Sequence, residues 1–175
     1  MTAPLKLTYW PDPRLKKVCD PVAAFDEKLA GIAAQMLAIM KDNKGVGLAG
    51  PQVALNLRLF VMNEDNEPGH DRVFVNPVLS DGEGEEEAEE GCLSLPKIYT
   101  DVVRYKTIRL RGFDLAGKEI DEVQTGYIAR IWQHEVDHLN GVLLTDRMGA
   151  VSKMTNRKLL RGLQETYDKA HPKKK

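Results

Sequence analysis

Gln133-His134-Glu135-Val136-Asp137-His138 is the stretch of this chain whose residue types can do chemistry. His134 and His138 stand one helical turn apart, so on a helix both imidazoles reach one cation from one face. Glu135 leaves the backbone beside the first histidine and can face a water held by that cation. This is an H-E-x-x-H arrangement, and its chemistry is metal-assisted hydrolysis with Glu135 as general base. The competing reading is two histidines that merely cap or pack. Two of the chain's four histidines fall here, however. Ile128, Ile131, Trp132 and Leu139 also give the apolar background of a helix that runs through a core.

Two histidines leave a metal under-ligated, because a catalytic zinc-type site takes three protein ligands plus water. Two residues compete for the third place. Glu165 lies downstream, as in H-E-x-x-H metallopeptidases that draw a glutamate from a later helix. Cys92 lies upstream, before a proline, and a thiolate is a strong ligand for a borderline metal. A lone cysteine is as often a small buried hydrophobe. The residues by themselves leave the choice open.

The elements that must position these groups follow from periodicity and turn chemistry. Asp26 is an N-cap for a helix whose apolar stripe is Leu29, Ile32, Ala33, Met36, Leu37 and Met40, ending near 41–44. Gly45-Val46-Gly47-Leu48-Ala49-Gly50-Pro51-Gln52 is too glycine-rich for an ordinary strand or helix. It lacks the ending of a phosphate loop, so a loop lying against an extended ligand is expected, with a tight structural turn as the alternative. Strands are expected at 57–62, 72–79 and 102–110, then a turn at 114–118 and a return strand at 119–124. Thr125 is expected to cap the site helix, which starts near Gly126 and stops at Asn140-Gly141. A second helical stretch opens at 146–148, with Leu159, Leu160, Leu163 and Tyr167 as its inner stripe. The fold class is α+β: antiparallel or mixed sheets packed around the metal-binding helix, with a C-terminal helix, in a single domain spanning 1–175.

Composition narrows the function classes. A hydrophobic share of 42% with 29% charged residues describes a folded chain rather than a disordered one. No apolar run is long enough for a membrane span, and the N-terminal Met1-Thr2-Ala3-Pro4 does not open a signal peptide. Two cysteines build no disulfide framework, so a reducing, cytoplasmic setting is expected. The net charge of −1 carries no DNA-binding signature. The charge is uneven, with seven acids between Asp81 and Glu90 and eight basic residues between Lys153 and Lys175. The first run reads as a solvated loop. The second is either a solvated helix or a contact for something anionic.

Three segments together resemble the peptide deformylase family: Gly45–Gln52 against G-x-G-L-A-A-x-Q, Glu90–Ser94 against E-G-C-x-S, and Gln133–Gly141, which opens with Q-H-E-x-D-H. The P-D-P-R-L core after Trp10 also resembles the family, so the likeness covers nearly the whole chain and is weakest in the tail. It implies Cys92, His134 and His138 as ligands of one divalent metal. Fe2+ is implied as the working ion, with Ni2+ or Co2+ able to replace it and Zn2+ less active. It implies removal of the N-formyl group from the first methionine of new polypeptides. Glu135 would move the proton, and the Gln52 amide and Leu93 backbone N–H would hold the oxyanion. The peptide would lie along Val46-Gly47 and Gly91, with Val46, Tyr127 and Ile131 near the methionine side chain. Action on nascent chains makes transient ribosome contact through the basic C-terminus an expectation. Arg130 is expected to face outward or pair with an acid such as Asp137, and Asp137 alternatively to orient a ligand histidine. Two positions depart from the family pattern. Gly50 replaces the usual alanine and is expected to loosen its loop. Lys97-Ile98-Tyr99 lacks an arginine found near the substrate's far end in some members, a role Arg104 could take.

Overall fold

The computed structural model describes residues 4–172; Met1–Ala3 and the terminal Lys173–Lys175 of the basic run lie outside the described residues. The first regular helix, α1 (Glu27–Asp42), starts where expected, with Asp26 accepting from the Leu29 N–H at 2.9 Å. Leu29, Ile32, Ala33, Met36 and Met40 form its buried stripe. The glycine-rich stretch is not simply a loop. It forms a short strand, β1 (Gly47–Ala49), and then a 3₁₀ turn over Gly50–Val53. Glycine is tolerated in this strand because tertiary packing, not intrinsic propensity, fixes it.

Four further strands follow: β2 (Leu59–Met62), β3 (Arg72–Cys92), β4 (Leu95–Phe113) and β5 (Glu119–Thr125). They complete a five-stranded sheet in sequence order, each pairing antiparallel. The 114–118 turn is the expected hairpin, closed by the Asp114 N–H donating to the Lys118 carbonyl at 2.9 Å. β2 is buried on both faces because side chains alternate. Leu59 and Val61 pack with α1, while Phe60 and Met62 pack with Trp132 of the next helix. Phe60 stacks on Phe74 at 4.8 Å, and Phe74 meets Trp132 edge-on at 5.6 Å.

The acidic run corrects the expectation of a solvated loop. Residues 83–90 belong to β3 and pair with residues 100–107 of β4. Glu83, Glu85, Glu87 and Glu89 keep their side chains in water, where screening over about 8–10 Å weakens their mutual repulsion. Glu86 on the other face is exposed as well, so of the acids in this run Glu90 alone is buried, with its charge paired. A bulge between Ser80 and Glu83, and another between Gly91 and Cys92, re-aim the strand on either side of the run.

The site helix, α2 (Gly126–Leu139), has the expected bounds. Thr125 occupies its N-cap position but makes no capping bond; its hydroxyl lies 3.3 Å from the Thr107 hydroxyl across the β4–β5 pair instead. The C-terminal stretch is broken into α3 (Leu144–Arg147), α4 (Ala150–Thr155) and α5 (Arg157–Ala170). Leu160 and Leu163 pack on Leu95, Ile98 and Val102, whereas Leu159 is 40% exposed and leaves the expected stripe. Among the described residues no helix is long and apolar enough to cross a membrane.

Candidate metal centre

Three elements converge beneath one cleft. The end of β3 delivers Glu90 and Cys92, β1 with its 3₁₀ turn delivers Gly47 and Gln52, and α2 delivers His134, Glu135 and His138. One ligand atom from each of Cys92, His134 and His138 lies within 4.8 Å of the others. Cys92 Sγ is 3.3 Å from His138 Nε2, and the two imidazole rings are 5.0 Å apart. Glu165 is excluded from this cluster: it lies exposed on α5 and accepts from Arg161 at 2.9 Å.

The donor chemistry fits a divalent transition metal. One soft sulfur and two imidazole nitrogens make a three-ligand set with room for a fourth partner. Burial and the neighbouring His134 push His138 well below its ordinary pKa, so it is neutral, the form that donates a lone pair. His134 is opposed by burial but held protonated by Cys92 and Glu90. A cation there takes the place of a proton, as metal sites do.

Glu90 is the anchor of the centre. Its Oε2 lies 2.9 Å from His134 Nδ1, which leaves Nε2 for the metal. Burial alone would raise its pKa, but hydrogen bonds from His134 and Arg104 overcome this and hold the carboxylate ionised, well below the usual range. Arg104 grips both Glu90 oxygens at 2.9 Å, and Arg130 donates to Oε1 at 2.8 Å. Expectations for three residues are therefore revised. Arg104 is 5% exposed and bound to Glu90 and Asp137, so it does not reach toward a substrate's far end. Arg130 is 6% exposed and does not face outward; it does pair with an acid, but that acid is Glu90 and not Asp137, with the Val102 and Glu86 carbonyls as its other acceptors. Asp137 does not orient a histidine; it binds Arg104 and, at the surface, Arg147. Arg130 stands amid apolar residues one turn before His134, a position that could have signalled a buried guanidinium rather than one facing outward or pairing with an acid such as Asp137. Its partner across the sheet was not visible in the sequence.

Glu135 is 4% exposed, and burial pushes its pKa up to about 7. A bound cation would pull it back down. Its Oε2 has no hydrogen-bond partner among the described residues, so this oxygen is free for a group in the cleft. Its Oε1 lies against Gly47, where a Cβ would come within 2.3 Å of it. Gln52 is 1% exposed. The Ala49 N–H donates to its Oε1 at 2.8 Å, which fixes the amide and turns Nε2 toward Cys92 Sγ at 3.5 Å and Ser94 Oγ at 3.4 Å. Gly50 is fully packed: a Cβ there would stand 2.5 Å from the Leu57 carbonyl oxygen, so the turn is tightened around glycine and not loosened.

The cleft measures about 620 Å³, a normal size for a small-molecule or peptide-end site. Val46, Gly47, Gly91, Leu93, Tyr127 and Ile131 all line it, together with Gln52, Cys92, His134 and Glu135. Tyr127 is 56% exposed at the rim and is not a core residue.

The family model for polypeptide deformylase matches residues 4–154. Peptide deformylase of Rhodopirellula baltica is 46% identical over 148 residues, covering 83% of this chain and 74% of its own length. That of Thermotoga petrophila is 42% identical, covering 89% of this chain and 93% of its own. Among solved structures, a peptide deformylase from Legionella pneumophila superposes with a TM-score of 0.88 at 38% identity, over 94% of this chain and 98% of that one. One from Plasmodium falciparum gives 0.92 at 34% identity, over 96% and 100%. With its cysteine, two helix histidines and adjacent glutamate in place and its sequence matched over most of its length, the chain belongs to the polypeptide deformylase family.

Proposed function

We propose that the protein hydrolyses the N-formyl group of formyl-methionyl polypeptides, releasing formate and a free amino terminus. The observation that carries this reading is the meeting of Cys92 with His134 and His138 around a buried Glu135 at the floor of a peptide-sized cleft. Cys92, His134 and His138 would hold one ferrous ion, a set that nickel, cobalt or zinc also fits. Such a metal supplies Lewis acidity toward the formyl oxygen and lowers the pKa of water.

Glu135 takes a proton from water, and the resulting hydroxide adds to the formyl carbon. The oxygen of that carbonyl gains charge and accepts hydrogen bonds from Gln52 Nε2 and the Leu93 N–H. Glu135 then returns its proton to the amide nitrogen, the C–N bond breaks, and formate leaves. Glu90, locked by Arg104 and Arg130, keeps His134 in one orientation throughout. The peptide backbone runs along Val46-Gly47 and Gly91 as an added strand. Val46, Tyr127 and Ile131 flank the methionine side chain.

The test is formate release from formyl-Met-Ala-Ser by protein purified without oxygen, with metal content measured on the same sample. Glu135→Gln should retain fold and metal and lose turnover by about 10²–10⁴-fold. A folded, metal-loaded wild type that releases no formate in any metal would sink the assignment.

Lys153, Arg157, Lys158, Arg161 and Lys169 are exposed along α4 and α5. This supports a transient contact with ribosomal RNA, with binding that falls steeply as salt rises. Equal ribosome association by the full chain and by a variant carrying glutamine at these five positions would refute it. The two cysteines are both free, which supports a reducing, cytoplasmic setting.

A further inference from the structure

A second groove lies behind the wall of the cleft. It encloses about 430 Å³ between the segment around Tyr9 and α5, and its lining is mostly apolar. Leu7, Tyr9 and Pro96 line both the cleft and the groove, so the partition between them is one segment thick. That segment is fixed to the catalytic end of the molecule: the Thr8 N–H donates to the Gln52 carbonyl at 2.8 Å and the Trp10 N–H to the Ser94 carbonyl at 3.0 Å. Beyond it, Trp10, Leu163, Tyr167 and Ala170 border the groove. Tyr167 is held flat against His171 at 4.2 Å. Asp12 and Arg14 stand at the edge and neutralise each other through a 2.6 Å ion pair. With that pair neutralised and His171 stacked on Tyr167, the groove's mostly apolar lining suits an uncharged, apolar side chain.

We propose that this groove is a downstream subsite for the same polypeptide substrate, taking an apolar side chain several residues after the methionine. The proposal rests on the reading of the cleft as a formyl-methionyl peptide site. The shared border selects the occupant: Leu7, Tyr9 and Pro96 line both, and Tyr9 is 45% exposed, so a chain that leaves the cleft over Tyr9 and Pro96 meets the groove on the far side of the partition. An extended octapeptide spans roughly 26 Å, whereas a tripeptide occupies the cleft alone.

The experiment compares formyl-Met-Ala-Ser with formyl-methionyl octapeptides that carry serine at the later positions and a single leucine walked from the third to the eighth. One leucine register should lower KM by about tenfold relative to the all-serine peptide, with kcat unchanged. Ala170→Trp, which fills the groove from α5, and Leu163→Ser should each remove that advantage. Neither should change kcat/KM for the tripeptide, which reports intact folding. Trp10 gives a second readout independent of turnover. The unformylated octapeptide with leucine in the preferred register should alter its emission, the unformylated tripeptide should not, and Trp10→Phe should abolish the signal. The proposal is overturned if no register moves KM by more than about twofold, or if the advantage survives both variants. It is equally overturned if sedimentation shows the groove closed by a second copy that the octapeptide does not disperse. Failure of every formyl peptide to react would count against the assigned activity, and the Trp10 titration would still decide the groove.

Discussion

Gly47→Ala should disable the enzyme without unfolding it. A Cβ at position 47 would sit 2.3 Å from Glu135 Oε1 and 2.8 Å from Cδ, where ordinary contact begins at 3.4 Å. The carboxylate must therefore retreat by about 1 Å. The displaced atoms are the end of a flexible side chain, so the overpacking cost falls at the low end of about 1–3 kcal/mol. Part of that cost is offset by the roughly 0.4–1 kcal/mol gained when glycine's freedom is removed from the unfolded chain. Catalysis is less forgiving, since a 1 Å misplacement of a reacting group costs about a hundredfold, or roughly 2.7 kcal/mol of activation energy. The assay is kcat and KM on formyl-Met-Ala-Ser, with metal content and thermal unfolding measured alongside. We expect kcat to fall about a hundredfold with metal retained. Because a residue at 47 also faces the cleft, a double-mutant cycle separates the two effects. Glu135→Asp withdraws the carboxylate by one methylene, and on that background Gly47→Ala should cost no more than about threefold. A wild-type-like kcat for the single variant, or an undiminished loss on the aspartate background, would refute the reasoning.

Two further substitutions probe the packing around the site. Gly50→Ala would drive a Cβ to 2.5 Å from the Leu57 carbonyl and 3.2 Å from the Leu55 carbonyl. Backbone cannot swing aside, so stability should fall by about 1–3 kcal/mol, lowering Tm by roughly 3–10 °C; an unchanged or raised Tm would show the turn to be loose. Arg104→Met leaves Glu90 and Asp137 short of their shared cation in a buried setting. That should cost about 3–5 kcal/mol by urea unfolding, and a loss under about 1 kcal/mol would mean that Arg130 alone suffices to hold Glu90.

Much of this molecule was legible in its sequence. The α1 stripe, the 114–118 hairpin and the limits of α2 follow from local periodicity and from end signals at Asp26, Gly126 and Asn140-Gly141. The pair His134 and His138 with Glu135 needs only one helical turn to become a site. The choice of Cys92 over Glu165 was different in kind: the E-G-C-x-S resemblance pointed to it, but no local physical signal did. Both lie far from the histidines along the chain, and spacing carries no information about which one the fold returns. The sheet decided it by ending β3 with a bulge at Cys92, above α2. The same long-range pairing turned an acidic run, read locally as a solvated loop, into a paired strand that is solvated until its last residue. It buried Glu90 between Arg104, Arg130 and His134. Local signals report propensity over a turn or two; which charges can be buried depends on partners that tertiary packing alone supplies.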